Sequence, residues 1–508
     1  MNESSLRPVR RYAPRVRSRT RILLGLCLAV PTISIAPPTG GASVRAQLAR
    51  PSCQQTLDSI DAKLRDNYAG FLLEVRAARR SAYDAMRAEQ RRAGAEVSLD
   101  DCFPILSRYI DWFDDPHLFV YQSPTPDSAS ANKRRGALRT LDVSDSAIRR
   151  DLSNRRDARD PIEGIWYDGA TRIGVVRDAA STERYVAVLL ASDTLGWPAG
   201  AVRATFERRP DGGYATTLTT RAFGELRLVA RIHRRVVLRL SPGMWGKAFP
   251  VAAEDTAFVD PTDVHRPSVA VRPRSVVVSV PSHDPRFTSR LDRLVTEVDS
   301  VIRDRRLLII DLRGNEGRGS QTTRVLDPYI STAVSGPTPY DSGVPVMLSS
   351  RAQVAYARRF TGTDTSVLVR SLVARLEASP GALVPLEETP SARSHDRSLD
   401  GDWQVVVMVD RGTVSASEVL VLRALRSTRA VVVGENTAGA LDYQSVQIVG
   451  LGTGDRRWAL GYPTITAHAD LPKRGMRGTW IAPTVRVDWH TLDDPIAEME
   501  RRYAPPAR

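Results

Sequence analysis

The sequence predicts a multidomain α+β protein: a small helical domain, then a β-rich domain, then an α/β domain. Three observations carry this expectation. The chain has 508 residues, more than one ordinary domain holds and enough to bury two or three cores. Apolar periodicity passes from helical spacing near the N-terminus to short extended runs in the middle. The last half alternates buried strands with amphipathic helices.

Composition narrows the function classes. With 42% hydrophobic and 26% charged residues the chain is ordinary globular protein, which excludes wholesale disorder and a polytopic membrane fold. The net charge of +14 points less to a polyanion than it first suggests, because residues 1–46 hold eight arginines against the single acid Glu3, half of the excess. The remainder is interspersed with acids and lacks a basic run interleaved with aromatics, so no nucleic-acid partner is expected.

Residues 1–46 read as an export signal. Arginines up to Arg21 precede the apolar run Ile22 to Val30, and small residues end in Ser43-Val44-Arg45-Ala46 before Gln47. Pro31 and Pro37 interrupt the apolar stretch, which is too short for a comfortable span, so no integral membrane domain is expected beyond this segment. An exported, periplasmic or extracellular protein follows, with an uncleaved anchor as the alternative. Cleavage after Ala46 removes Cys27 and leaves Cys53 and Cys102. In an exported chain such a pair either forms a structural disulfide between two helices or stands as two buried thiols; export favours the disulfide.

Residues 47–125 form the helical domain. Leu57, Ile60, Leu64 and Tyr68 recur at helical spacing, as do Cys102, Ile105, Leu106, Tyr109, Ile110 and Phe113. Residues 126–160 are polar and read as a linker with one short helix. Residues 161–255 form the β-rich domain, an antiparallel sheet or barrel with strands at 171–177, 185–190, 202–206, 214–219, 226–232 and 236–240 and a hairpin turn at Asp211-Gly212-Gly213. Trp166 and Trp197 are expected in its core. Residues 268–495 are the α/β domain, with strands at 276–280, 307–311, 403–409 and 430–433 and helices at 288–302, 321–329 and 416–425.

Two segments of that domain carry chemistry. The strand ending at Asp311 runs into Leu312-Arg313-Gly314-Asn315-Glu316-Gly317-Arg318-Gly319, whose glycines admit positive φ and close backbone approach. Its glycine spacing fits neither a phosphate loop nor a dinucleotide fingerprint. The second strand runs into Gly412-Thr413-Val414-Ser415-Ala416-Ser417-Glu418. Ser415 at a strand-to-helix turn is placed either as an acyl-transfer nucleophile or as an N-cap with Glu418 closing a capping box. The residues alone favour the cap.

Taken together, Asp311-Leu312-Arg313-Gly314-Asn315, the Ser415-Ala416-Ser417-Glu418 element and Val433-Gly434-Glu435-Asn436-Thr437-Ala438-Gly439 resemble the C-terminal processing (tail-specific) serine peptidases over about residues 270–490. The resemblance implies a crotonase-like catalytic domain, Ser415 as nucleophile, and the amides of Ala416 and Gly317 as oxyanion donors. No cofactor and no metal are implied, and no His/Cys/carboxylate group shows metal-ligand spacing. The bacterial tail-specific branch places its lysine base where this chain has Ala440, and only Lys473 lies downstream. The chain is more similar to the branch of tricorn and the interphotoreceptor retinoid-binding proteins, whose base is a histidine of the N-terminal helical region. Asp114-Asp115-Pro116-His117 resembles that element, which makes His117 the expected general base, ahead of His283 and His468.

Two departures qualify the resemblance. Arg477, six residues before Pro483, stands where that branch carries a glutamate, so the third role is unassigned among a carbonyl, a water and carboxylates such as Asp442 or Asp470. Residues 162–249 also lack the carboxylate loop of a PDZ module, so tail specificity is not implied. The expected function is an exported serine-type endopeptidase acting on peptides or proteins through an acyl-enzyme. The alternative is a weakly active or inactive homologue that binds peptides or apolar ligands.

Overall fold

The computed structural model describes residues 51–506 apart from 124–128, 180, 192–195, 222, 241–242, 253–254, 256–259, 261, 320–322, 333–339, 341–343, 362–366, 387–398, 400, 452–457 and 474. The expected leader at 1–46 lies outside the described residues. Among them, no helix is long and apolar enough to cross a membrane.

Helix α1 (Cys53–Asn67) opens on a capping box, in which Ser52 Oγ accepts from Gln55 N–H while the Gln55 side chain accepts from Ser52 N–H. A π-helical stretch, Phe71–Arg79, leads into α2 (Arg80–Ala95), and α3 (Phe103–Asp111) follows. A disulfide joins Cys53 in the first turn of α1 to Cys102 immediately before α3. Leu57, Ile60 and Leu64 pack with Ile105, Leu106 and Tyr109, but these helices do not close a core alone. Tyr443, Trp458, Leu460 and Tyr462, from the far end of the chain, complete it. The helical segment is thus built into the C-terminal half.

After β1 (Phe119–Gln122), the polar stretch expected to hold one helix contains two, α4 (Ala129–Gly136) and α5 (Asp145–Asn154). Ile148 and Leu152 of α5 are buried against Ile165. The middle region is a closed antiparallel barrel of β2 (Gly164–Asp168), β3 (Thr171–Asp178), β4 (Ser181–Leu189), β5 (Val202–Arg208), β6 (Tyr214–Thr219), β7 (Glu225–His233), β8 (Val237–Leu240) and β9 (Gly243–Phe249). Closure removes the sheet's edges. Trp166, Trp197, Phe206 and Trp245 fill the interior. Sequence patterning exposes six of these strands and misses β2 and β9, which pair to close the barrel; Gly164, Gly243 and Gly246 dilute their β-propensity.

The remainder runs through β10 (Ser268–Val271), β11 (Val276–Ser279), α6 (Thr288–Glu297), α7 (Asp299–Arg305), β12 (Leu307–Asp311), α8 (Asp327–Ile330), β13 (Val346–Leu348), α9 (Arg351–Thr361), α10 (Val367–Ala378), β14 (Leu383–Pro385), β15 (Gln404–Val409), α11 (Ala416–Arg426), β16 (Ala430–Gly434), β17 (Tyr443–Gly450), β18 (Trp458–Thr466), β19 (Val485–Arg486) and α12 (Pro495–Tyr503). The helix expected over 288–302 divides at Val298 into α6 and α7. Of the one expected over 321–329, the described part is a 3₁₀ turn at Arg324–Leu326 followed by α8.

One sheet has the order β10-β11-β12-β15-β16-β19 and is parallel from β11 onward. Both its faces are buried, with Val276, Leu308 and Val407 on one side and Val277, Ile309 and Val406 on the other, which is why its strands read as unbroken apolar runs. The second sheet is β1-β18-β13-β14, with β17 on the other edge of β18. Two placements matter for function. Strands β12 and β15 lie in register from Leu307 to Asp311, so the loops that follow them emerge together. Strand β1 is fixed antiparallel to β18, with Phe119 opposite Gly461, which anchors the residue two positions before it.

Candidate active site

The loops after β12 and β15 are laced to each other. Val414 N–H donates to Asn315 C=O at 3.0 Å, and Thr413 Oγ1 donates to Leu312 C=O at 3.0 Å. Asp410 Oδ1 accepts from Gly314 N–H and Gly412 N–H, both at 2.8 Å. A Cβ at Gly412 would fall 2.8 Å from Gly314 Cα, so only glycine lets the two backbones approach this closely.

Ser415 stands between β15 and α11 at φ 57°, ψ −115°, a conformation that L-residues avoid and that costs on the order of 1–3 kcal/mol. The surroundings hold it there. Its N–H donates to Glu418 Oε2 at 2.8 Å, and the same buried carboxylate accepts from Ala440 N–H at 2.8 Å and from Gly439 N–H and Thr437 Oγ1 at 2.6 Å. Burial pushes the Glu418 carboxyl up and these donors pull it back, with burial prevailing. The glutamate expected only to close a capping box therefore ties the Ser415 turn to the 437–440 turn, where Ala440 stands in place of the lysine of the tail-specific branch.

Ser415 Oγ meets His117 Nε2 at 3.0 Å, across 298 residues of sequence. His117 is delivered by the turn between α3 and β1, and its side chain is 12% exposed. Asp115 Oδ1 accepts from His117 N–H at 2.9 Å and lies 3.6 Å from Nδ1, while Asp115 Oδ2 accepts from Tyr68 OH at 2.9 Å. Sequence reasoning gave Asp115 no role, although its place two residues before the histidine was the available signal.

The two expected oxyanion donors both flank Ser415. Ala416 N–H is the first amide of α11, where no intrahelical acceptor exists, and it lies at the positive end of the helix. Gly317 is packed against the same turn, since a Cβ there would fall 2.7 Å from Val414 C=O and 2.9 Å from Ser415 Cβ. Its amide, however, donates to Asn315 Oδ1 at 2.8 Å in this structure.

The other candidates are used elsewhere. His283 is fully buried; its N–H donates to Gly317 C=O and its own C=O accepts from Gly319 N–H, and burial, with Arg423 adding, depresses its imidazole to about 3. It braces the first loop as a neutral group. His468 is buried beside Asp470. Asp442 caps the 475–477 turn through Met476 N–H at 2.6 Å and Arg477 N–H at 3.1 Å. Arg477 itself pairs with Glu74 at 2.6 Å and donates to Phe113 C=O and Asp114 C=O, both at 3.0 Å. Lys473 is exposed, and Lys247 is buried in the barrel over the Trp166 ring, where desolvation lowers it to about 7.

The barrel reaches the back of the site through the end of β7, the turn after it and β8. His233 Nδ1 meets Asp410 Oδ2 at 2.6 Å, Arg239 donates to Gly412 C=O at 2.5 Å, and Arg234 pairs with Asp311 at 3.2 Å. Burial alone would raise the Asp410 carboxyl, but His233, Gly314 N–H and Arg313 hold it well below the usual carboxylate range. Beside this contact a cavity of about 490 Å³ opens at the carboxyl ends of β15, β16 and β19. Spacing in the sequence showed no metal-ligand group, yet Glu435, Asp488 and His490 lie at this cavity with one ligand atom each within 4.8 Å of the others. Two of them are exposed, and Arg411 stands 3.7 Å from Glu435.

Residues 275–487 match the sequence profile of Peptidase family S41. A C-terminal processing peptidase, chloroplastic, from Tetradesmus obliquus is 33% identical over 124 residues, which are 24% of this chain and 25% of that protein. The chain thus spans about a quarter of that relative. Among solved structures, a photosystem II D1 C-terminal processing protease is 14% identical with a TM-score of 0.35, covering 90% of this chain and 98% of its own. Mature CPAF is 12% identical, with a TM-score of 0.38 and coverage of 86% and 92%. Tricorn protease is 11% identical, with a TM-score of 0.34, covering 89% of this chain and 36% of its own.

Proposed function

We propose, from the match of residues 275–487 to peptidase family S41, that the chain is an exported serine endopeptidase with Ser415 as nucleophile and His117 as general base. The 3.0 Å contact between Ser415 Oγ and His117 Nε2 is the observation that carries this reading. In the proposed reaction His117 Nε2 takes the hydroxyl proton as Ser415 Oγ attacks the scissile carbonyl. The same proton then passes to the departing amine, leaving an acyl-enzyme on Ser415. The oxyanion is stabilised by Ala416 N–H and by Gly317 N–H, the latter exchanging Asn315 Oδ1 for the substrate oxygen. Water attacks the ester with His117 again as base. The domain is read as crotonase-like, and the disulfide supports residence in an oxidising compartment.

Labelling with a fluorophosphonate probe tests the reading. The wild-type chain should label; Ser415→Ala should not, and His117→Ala should label at least about a hundredfold more slowly. No labelling of the folded wild-type protein would favour the alternative, a weakly active or inactive homologue that binds peptides or apolar ligands. One observation speaks for that alternative: the Gly317 amide is already satisfied by Asn315.

A further inference from the structure

Arg477 stands where the acid expected from the resemblance should be, and neither Asp442 nor Asp470 is turned to His117. The carboxylate beside the imidazole is instead Asp115, on the histidine's own turn. We propose that Asp115 orients His117 and stabilises its imidazolium, and that Arg477 serves as the clamp that holds the turn carrying both. The inference rests on the Ser415–His117 reading.

Three observations support Asp115. Its side chain is 1% exposed, so its charge acts with little solvent screening. Both its oxygens are fixed, Oδ1 by His117 N–H and Oδ2 by Tyr68 OH, which keeps the carboxylate from swinging away. The Tyr68 phenol is raised by burial and then by Asp115, so it remains a donor. The remaining gap, 3.6 Å between Oδ1 and Nδ1, is longer than a hydrogen bond. It is close enough for the carboxylate to favour the imidazolium, and such contacts tighten when substrate closes a site. During attack one proton moves from Ser415 Oγ to His117 Nε2 and later leaves with the amine.

Arg477 acts one step further away. Asp114 is a non-glycine residue at φ 56°, and Arg477 grips its carbonyl and that of Phe113 while its other nitrogen pairs with Glu74. Tyr443 OH donates to the second oxygen of Glu74 at 2.5 Å. The charged and titratable groups around the turn are therefore Glu74, Asp115, Arg477, Tyr68 and Tyr443, with Arg79 4.0 Å from Glu74. A planar guanidinium reaches two carbonyls and a carboxylate at once, which a lysine cannot. Arg477 is a positioning residue.

The test uses the full chain and two readouts. In Asp115→Asn the labelling rate should fall at least about tenfold, because the imidazole is no longer held in the productive orientation. The ring tautomer of His117, read from its nitrogen NMR shifts, should change in the same variant, a readout that does not depend on turnover. Arg477→Ala should also slow labelling while leaving the His117 tautomer in place, and Arg477→Lys should not restore the rate. If Ser415→Ala abolishes labelling but Asp115→Asn keeps the wild-type rate and His117 tautomer, this inference is wrong and the peptidase reading stands. If the wild-type chain never labels and the His117 tautomer is the same in both proteins, both fall.

Discussion

At the scale of single residues, the site depends on one strained serine and the neighbours that hold it. Gly317 is the most constrained of these. It sits at φ 81°, and any side chain there would strike Val414 C=O and Ser415 Cβ. Gly317→Ala should therefore displace the Ser415 turn, lowering probe labelling by about a hundredfold, while stability falls by about 1–3 kcal/mol for the backbone strain alone. Labelling at the wild-type rate in this variant would mean that the turn relaxes without moving Ser415. Ser415 and Gly317 are legible through the resemblance of their two segments to the C-terminal processing peptidases, whereas the residues alone favour an N-cap at Ser415. For Asp115 the sequence offers only the position two residues before His117, a common pattern, while the fold turns the carboxylate to the imidazole. The use of Asn315 Oδ1 on the Gly317 amide is equally invisible in a linear pattern.

At the scale of elements, the strands β12, β15 and β16 are legible because both faces are buried and their residues are uniformly apolar. Helix α11 is legible from its apolar spacing. The barrel's closing pair is not, because glycines thin the signal of β2 and β9; β17 is partly exposed, and β18, though mostly buried, is interrupted by Gly461 and Pro463. The helical segment looked self-sufficient because helical periodicity shows that a face is buried and not what covers it. Its cover is Tyr443, Trp458 and Tyr462, so α1 to α3 and the His117 turn share stability with the second sheet. The disulfide spans 49 residues of this segment, and by chain entropy a loop of that size is worth about 4 kcal/mol. Replacing both cysteines with serine should lower the urea midpoint, and the loss of Ser415 labelling should track unfolding of the helices, because one core carries both. Labelling that survives after the helical circular dichroism is lost would separate them.

At the scale of the whole molecule, the barrel is joined to the loops around Ser415 by a buried hydrogen-bonded contact, His233 Nδ1 with Asp410 Oδ2, supported by Arg234 and Arg239. Asp410 is the charge on which this junction turns, since it also accepts from Gly314 and Gly412 and so links the barrel to both site loops. Its carboxyl is held well below the ordinary range in the folded state. A depressed carboxyl contributes stability that is fully present above its unfolded pKa, about 3.9, and is lost as pH falls toward the folded value. Asp410→Asn should therefore cost roughly 1.5–3 kcal/mol at neutral pH, where hydrogen bonds to a buried charged carboxylate are lost. The gap from wild type should stay constant down to about pH 5 and narrow below about pH 4. Urea unfolding of both proteins at pH 7 and pH 3 measures it. His233→Ala should remove the other partner and slow labelling as well, because the barrel then no longer braces the loop that presents Ser415. A gap that is the same at both pH values would show that the charge of Asp410 contributes nothing, and that backbone contacts alone hold the barrel to the site.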